Sequence, residues 1–287
     1  MIVNETENEM TEEEFFPRAK RLTLTTGNVI KWGSVPVNTN ASDYVSRINC
    51  LHSCPFPTGS QLYEFPTPLL ERDLTDINLN CPRHQGVSIL DSDRNSVRVT
   101  VKLFLYADDP IYAEAAINSA LELLEIEDIE ILIVAFSPEV LTDSKLQDPL
   151  LESYLKIWPK LEELESKSKL ITVGVCDLSL EQLIILNSKV NLKPQVDQIL
   201  LDQADPVPTN PGLRTYAQNY NIQLLAHQDP LEILPPKKLQ NLLSKYLPTA
   251  DAKGWNPLYL LRYTTMLPHQ GIISARGFQL LLQRPNY

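Results

Sequence analysis

The stretch SVRVTVKLFLYADDPIYAEAAINSALELLEIEDIEILIVAF (96–136) decides the predicted fold. It begins with an alternating strand, SVRVTVKLFLY (96–106), and continues as an amphipathic helix after Asp109-Pro110, where Asp suits the N-cap and Pro suits the first helical position. It ends with the apolar run IEILIVAF (129–136), which has the length and composition of a strand covered on both faces. Strand, helix and strand in this order predict a parallel βα unit.

The same alternation continues toward the carboxyl terminus in steps of about 20 to 30 residues. Further strands are predicted at KLITVGV (169–175), QVDQILL (195–201), NIQLLA ending at Ala226, and GIIS (271–274). Helices are predicted from Trp158 to Lys167, after the capping pair Ser179 and Gln182, and over 212–220, 237–247 and 255–266. No G-x-G-x-x-G follows a strand, and the chain has only 9 glycines, which disfavours a Rossmann fold. We therefore predict an α/β fold, a (β/α)8 TIM barrel.

The amino-terminal third is less regular. Residues 1–17 are expected to form an acidic, flexible tail, and residues 18–287 a single barrel domain. RLTLTTGNVIKW (21–32) alternates about a Thr-Gly-Asn turn and predicts a hairpin. Between 35 and 95 only Leu69 to Leu79 has helical spacing, so the barrel is expected to be irregular in its first third.

Composition excludes several classes of function. A net charge of −11 argues against nucleic acid as a partner, because phosphate contacts need a basic surface. No run approaches the roughly 18 to 20 apolar residues of a membrane span. The first residues lack the basic and apolar regions of a secretory signal, and four cysteines are too few for a disulfide framework. These features favour a cytoplasmic protein.

One segment carries possible metal ligands. Cys50-Leu-His-Ser-Cys54 and Cys81-Pro-Arg-His84 together supply enough thiolate and imidazole for a tetrahedral zinc site. A regulatory disulfide and plain reduced cysteines are the alternatives. We expect reduced cysteines and no bound metal.

Several segments, in the same order along the chain, resemble the aldo-keto reductase superfamily. They are LTLTTGNVIKWGS, similar to the amino-terminal hairpin that closes the bottom of that barrel, VTVKLF (99–104), KLITVGVCDLSLEQL (169–183), VDQILL (196–201) and NIQLLAHQDPL (221–231). The resemblance implies a TIM barrel of aldo-keto reductase type. It places Lys102 at the position of the active-site lysine, Gln198 at that of the glutamine that contacts nicotinamide, and His227 at that of the aromatic residue on which nicotinamide stacks.

The reductase chemistry is not matched by the rest of the sequence. The family's Asp and Tyr form D-x-x-x-x-Y, and none of the 11 tyrosines here has an aspartate five positions upstream. Phe136-Ser137-Pro138 stands where the family has H-W-P. Without a matched acid a lysine cannot protonate an alkoxide, so Lys102 is interpreted as vestigial and no catalytic residue is expected.

Most residues that bind the nucleotide in that family are also replaced in this sequence. Cys176-Asp177 replaces the family's Ser-Asn, and only Ser274 and Arg276 resemble the segment that binds the 2′-phosphate in that family. Asp177 and Asp229 would add negative charge near a phosphate-rich ligand. Gln198 and His227 are therefore interpreted as vestigial, and we expect this chain to bind no cofactor.

Within this superfamily, N-I-Q-L-L-x-H-x-D-P and W-x-P-L-x-L-L-R-Y are similar to an inactive branch, the modifier subunits of glutamate–cysteine ligase. This resemblance implies a non-catalytic protein that forms a heterodimer with the ligase catalytic subunit, raises its activity and relieves feedback inhibition by glutathione. ATP and Mg²⁺ would then bind the partner. The alternative is an NADP(H)-dependent aldo-keto reductase with rearranged catalytic residues.

One departure from that family concerns a covalent link between subunits. The family's mammalian-type members have adjacent cysteines where this chain reads Leu201-Asp202-Gln203-Ala204-Asp205. An inter-subunit disulfide would therefore need Cys50, Cys54, Cys81 or Cys176. The segments 35–95 and 250–287 depart most from a reductase and are the predicted partner-binding regions.

Overall fold

The computed structural model describes residues 20–31, 76–80, 94–142, 148–201, 211–244 and 252–284. Its strands are β1 (Arg21–Thr25), β2 (Asp76–Asn80), β3 (Arg98–Leu105), β4 (Ile129–Phe136), β5 (Leu170–Cys176), β6 (Val196–Leu200), β7 (Gln223–His227), β8 (Asn256–Leu267) and β9 (Ile272–Gln283). Its helices are α1 (Pro110–Leu124), α2 (Pro138–Thr142), α3 (Pro149–Ser166), α4 (Leu180–Lys189), α5 (Pro211–Asn219) and α6 (Pro236–Leu243), with single 3₁₀ turns at Val29–Lys31 and Arg94–Ser96. In these ranges no helix is long and apolar enough to cross a bilayer.

The described strands form one sheet in the order β2-β1-β9-β8-β3-β4-β5-β6-β7. From β3 to β7 each strand is parallel to the next, and a helical segment connects every successive pair. This half of the molecule is the predicted series of βα units, and it confirms the barrel-like α/β fold. The predicted cap is also present, because the Asp109 side chain accepts a hydrogen bond from the Ile111 amide at the start of α1.

The other half of the sheet is antiparallel. β8 and β9 form a long hairpin that lies between β3 and β1, and β8 is antiparallel to β3 while β9 is antiparallel to β1. Only β1 and β2 are parallel to each other in this half. The described part of the sheet thus joins a parallel series of βα units to an antiparallel hairpin from the carboxyl-terminal segment.

Two hydrophobic cores lie on the two faces of the sheet. The inner core contains Leu24 of β1, Ile133 of β4, Phe278 of β9 and Leu239 of α6. Strands this far apart in the sheet can share one cluster only if the sheet curls around it. The outer core lies beneath the helices, where Trp158 of α3 is almost fully buried.

The helix predicted over 255–266 is wrong, since these residues form most of β8. Tyr259 and Leu261 belong to the outer core and Leu260 to the inner core, so both faces of the strand are covered. A strand buried on both faces has a continuous apolar run, which periodicity cannot distinguish from a buried helix. GIIS is likewise only the start of β9, and the helical spacing that ends at Leu79 runs into β2.

The prediction of an amino-terminal hairpin is also wrong. Gly27 does adopt a positive φ, of 64°, but β1 pairs with β9 on one edge and β2 on the other. No edge of β1 is left for the residues that follow the turn. The Asn28 side chain instead accepts a hydrogen bond from the Ile30 amide and starts a 3₁₀ turn.

The helix predicted from Trp158 begins earlier, at Pro149, with the Asp148 side chain as its cap. Pro159 is therefore inside the helix and does not start it. Burial of Tyr154, Trp158 and Leu161 on one face outweighs the hydrogen bond that the proline removes. The predicted tail, residues 1–17, lies outside the described residues.

Candidate functional site

A cavity of about 160 Å³ opens at the carboxyl ends of β3, β4, β5 and β7. This is the edge at which barrel proteins place their functional residues. Its polar groups include Lys102, Cys176, Asp177, His227 and Asp229, and aromatic and aliphatic side chains cover the remaining walls. Parallel strands bring these residues together although they are far apart in the sequence.

Lys102 lies on β3 and only 2% of its surface is exposed. Its Nζ donates to Asp229 Oδ2 at 2.6 Å and to Cys176 Sγ at 3.3 Å. A buried ammonium group requires such partners, because leaving it unpaired away from water is costly. Lys102 thus faces the cavity and is paired there with a carboxylate.

Asp229 follows β7 and connects three parts of the curled sheet. Besides Lys102, it accepts a hydrogen bond from Arg262 of β8, with Arg262 Nη1 at 2.9 Å from Asp229 Oδ1. The carboxylate is 94% buried, as its exposure is 6%. One negative charge thus lies between two positive charges, which fixes β3, β8 and the end of β7 relative to one another.

Cys176, Asp177 and His227 form a second cluster in the same cavity. His227 Nε2 lies 3.0 Å from Asp177 Oδ1 and 3.4 Å from Cys176 Sγ, and Cys176 Sγ lies 3.3 Å from Asp177 Oδ2. The Asp229 amide donates to His227 Nδ1, which assigns the ring proton to Nε2 and makes Nε2 the donor to Asp177. In the described ranges these three residues form the group that could hold a metal ion, with their ligand atoms within 4.8 Å of one another.

The cluster depends on the turn that follows β5. Asp177 has a φ of 59°, a left-handed conformation that aspartate tolerates better than most residues. Its Oδ1 also accepts a hydrogen bond from the Leu200 amide at 2.7 Å, which fixes the carboxylate between β5 and β6. The left-handed turn therefore directs this side chain back toward His227.

Burial and hydrogen bonding set the charges of this cluster. Burial raises the pKa of the Cys176 thiol well above its usual value, although the Lys102 ammonium opposes the shift. Burial also acts to raise the pKa of Asp177, but the hydrogen bonds from His227 and from the Leu200 amide outweigh it, so the net pKa is lowered. At neutral pH the cluster thus combines a protonated thiol with a carboxylate.

Tyr154 of α3 supports Cys176 from the outer face of the sheet. Its hydroxyl donates to the Val134 carbonyl at 2.7 Å and accepts from the Cys176 amide at 2.8 Å. The ring is fully buried, and burial raises the pKa of Tyr154 well above its usual value. Sequence reasoning missed this contact, because a tyrosine on the apolar face of a helix has the same pattern as any core residue.

Of the two residues interpreted as vestigial cofactor contacts, Gln198 and His227, His227 is the one that lines the cavity. Gln198 lies beside Cys176 on the next strand, with its Oε1 buried and without a hydrogen-bond partner among the described residues. Ser274 and Arg276 lie at the opposite end of the sheet, since Arg276 is level with Thr100 near the start of β3. Neither residue lines the cavity.

Of the four cysteines, only Cys176 lies among the described residues. The zinc candidates Cys50, Cys54, Cys81 and His84 lie outside the described residues. Cys176 is a free thiol with an exposure of 3%. A disulfide from Cys176 to another chain would require the cavity wall to move.

Fold and cavity together define a barrel-like α/β protein with a lysine-centred site at the carboxyl ends of its strands. The chain is 30% identical to the glutamate–cysteine ligase regulatory subunits of Mus musculus and Homo sapiens, over 93% of its own length and 94% of theirs. A putative glutamate–cysteine ligase regulatory subunit of Schizosaccharomyces pombe is 28% identical over 45% of this chain and 44% of that protein. The chain belongs to the family of glutamate–cysteine ligase regulatory subunits.

Solved aldo-keto reductases are more distant. The aldose reductase of Giardia lamblia is 19% identical with a TM-score of 0.38, over 47% of each chain. A Bombyx mori aldo-keto reductase in complex with NADP is 20% identical with the same TM-score, over 54% of this chain and 52% of that one. No model of a known protein family matches the chain.

Proposed function

We propose that this protein is a non-catalytic regulatory subunit that binds the catalytic subunit of glutamate–cysteine ligase, raises its activity and relieves feedback inhibition by glutathione. The observation that carries the proposal is family membership along almost the whole chain. On this account the protein acts in the cytoplasm, and ATP and Mg²⁺ bind to the partner.

The partners of Lys102 support a role without catalysis. In a reductase the lysine pairs with an aspartate and lowers the pKa of a tyrosine that protonates the substrate. Among the described residues the Lys102 ammonium donates to Asp229 and to Cys176, and not to a tyrosine hydroxyl. At the end of β4, Phe136 and Ser137 line the cavity where a reductase would present a histidine.

Tyr106 is the tyrosine that lines the cavity wall near Lys102. Burial raises the pKa of its hydroxyl above the usual value of 10.0, and the nearby Glu139 charge acts in the same direction. A general acid works best with a pKa near the operating pH, so this shift is opposite to the one that a reductase needs. The rearranged-reductase alternative depends on this residue.

The contact with the catalytic subunit is proposed to include the end of the β8–β9 hairpin. Met266, Ile272 and Ile273 are 38%, 52% and 39% exposed there, and Met266 is paired with Ile273 across the hairpin. Adjacent exposed apolar side chains are typical of the centre of a protein interface. This end belongs to the carboxyl-terminal segment predicted from the sequence.

A binding measurement tests the proposal. Sedimentation of this protein with the purified catalytic subunit from the same organism should give a 1:1 complex. I272E/I273E should weaken binding by at least about tenfold, since burying a charge without a partner is costly. Ile111→Glu is the matched control, because Ile111 is 59% exposed on α1, and it should bind as the unmodified protein does.

A cofactor titration tests the alternative. The proposal expects no change in NADPH fluorescence when the protein is added at micromolar concentration. Saturable NADPH binding, together with carbonyl reduction that is lost in Tyr106→Phe, would establish the reductase instead. Absence of a complex with the catalytic subunit, with both proteins folded, would refute the regulatory role.

A further inference from the structure

The geometry points to a zinc site formed by Cys176, Asp177 and His227, with its fourth position open to the cavity. Thiolate, imidazole and carboxylate are the ligands that Zn²⁺ takes in proteins. The inference does not depend on the ligase role. The metal ligands predicted from the sequence lie elsewhere in the chain, because Cys176 and His227 are 51 residues apart and meet only through the sheet.

The distances between the donor atoms fit a tetrahedral ion. Zinc–ligand bonds of about 2.0 to 2.3 Å place tetrahedral donor atoms roughly 3.3 to 3.6 Å apart. With Asp177 Oδ2 as the carboxylate ligand atom, the Sγ–Nε2, Sγ–Oδ2 and Nε2–Oδ2 distances are 3.4, 3.3 and 3.1 Å. A movement of a few tenths of an ångström in these side chains would admit the ion.

Groups around the cluster suit the bound form. When Nε2 becomes a ligand, the ring proton moves to Nδ1 and the hydrogen bond from the Asp229 amide is lost. Asp229 Oδ2 lies 3.5 Å from His227 Nδ1, so it would accept a hydrogen bond from Nδ1 in this tautomer. This carboxylate–histidine–metal arrangement is common in zinc proteins. Lys102 donates toward Cys176 Sγ and would stabilise the thiolate, while its own charge is balanced by Asp229.

The fourth position faces the cavity, which all three proposed ligands line. A volume of about 160 Å³ can hold several water molecules, so a water can complete the coordination. Gln198, opposite Cys176 on β6, has a buried Oε1 without a partner among the described residues.

The test uses the full-length protein with Zn²⁺ alone, in competition with a chromogenic chelator, and with Co²⁺ as a spectroscopic probe. We expect one Zn²⁺ per chain, and Co²⁺ spectra with thiolate charge-transfer and tetrahedral d–d bands. Cys176→Ser and His227→Gln should each weaken binding by about 100-fold or more. Cys176→Ser should also abolish the thiolate charge-transfer band, and His227→Gln should shift the d–d bands. Asp177→Asn, at the more exposed ligand, is the variant least disturbing to the fold and should also weaken binding.

The matched control is the triple variant C50S/C54S/C81S, which removes the other cysteines of the chain. It should keep the affinity and the cobalt spectrum of the unmodified protein. Binding that is lost in the triple variant but survives in Cys176→Ser would overturn the proposal and place the metal on the 50–84 segment. The proposal also fails if the unmodified protein binds no Zn²⁺ at micromolar concentration, or if Asp177→Asn and His227→Gln, each folded by circular dichroism, bind it with unchanged affinity.

Discussion

Lys102 Nζ lies 2.6 Å from Asp229 Oδ2, although the two residues are 127 positions apart in the sequence. The ion pair joins β3 to the end of β7 and is almost completely removed from water. It lies in the wall of the cavity at the carboxyl ends of the strands. In this protein the buried charge connects parts of the fold.

The two partners of this ion pair should differ in their effect on stability. Asp229→Asn leaves Lys102 and Arg262 without their shared carboxylate, and should lower the free energy of unfolding by about 3 to 5 kcal/mol. Lys102→Met should cost less, because Asp229 keeps Arg262. Urea unfolding followed by circular dichroism measures both values, and equal losses for the two variants would contradict this asymmetry.

Asp197 should make stability depend on pH. Its side chain has no exposed surface, and neither carboxyl oxygen has a hydrogen-bond partner among the described residues. Burial, and to a smaller extent the charge of Asp177, raises its pKa from 3.8 to about 7. The folded state therefore holds a proton that the unfolded state has lost, so this contribution to stability is present below about pH 4 and decreases as the pH rises toward 7.

Asp197→Asn removes this pH-dependent contribution to the free energy of unfolding. The variant should gain stability relative to the unmodified protein between pH 5 and pH 8, by at most roughly 4 kcal/mol, because one pKa unit corresponds to about 1.4 kcal/mol. Denaturant unfolding at several pH values measures the difference. A difference between the two proteins that stays constant over this range would show that Asp197 does not titrate as described.

Gly277 should not tolerate a side chain. A Cβ at this position would overlap the Tyr263 hydroxyl and the Gly27 carbonyl, so Gly277→Ala should cost about 3 kcal/mol or more. Gly271→Ala is the matched control, because nothing lies within 4 Å of its Cβ and only its positive φ opposes the change. It should cost about 1 kcal/mol. Thermal unfolding compares the two, and equal costs would rule out the close approach of β9 to Tyr263.

Cys176 should be unreactive toward thiol reagents in the native protein. Its sulfur is buried, and burial raises its pKa well above the usual value, so little thiolate is available. Labelling of Cys176 with iodoacetamide, followed by mass spectrometry, should be at least about 100-fold slower in native buffer than in denaturant. Rapid labelling of Cys176 in the native protein would show that the cavity opens readily. It would then support the hypothesis of a disulfide between Cys176 and the partner.

The sequence was informative where local rules determine structure. Asp109 and Pro110 predicted the start of α1, and the apolar run ending at Phe136 predicted a central strand. The position of Lys102 on β3 was predicted because the strand that carries it resembles a known one. These features depend on residues that are close together in the chain.

What could not be predicted depends on contacts between distant residues. The pairing of Asp229 with Lys102 and Arg262 exists only because the sheet curls. The β8–β9 hairpin was mistaken for a helix because Leu260 and Leu261 face different cores. Nothing local distinguishes such a strand from a buried helix.

The central claim is tested most directly by the kinetics of the purified catalytic subunit with and without this protein. Initial rates are measured over a range of glutamate concentrations, at several fixed concentrations of glutathione. The account predicts a lower KM for glutamate and weaker inhibition by glutathione when this protein is added, and no ligase activity from this protein alone. Unchanged glutamate dependence and unchanged glutathione inhibition, with both proteins folded and present in excess of micromolar concentration, would contradict it.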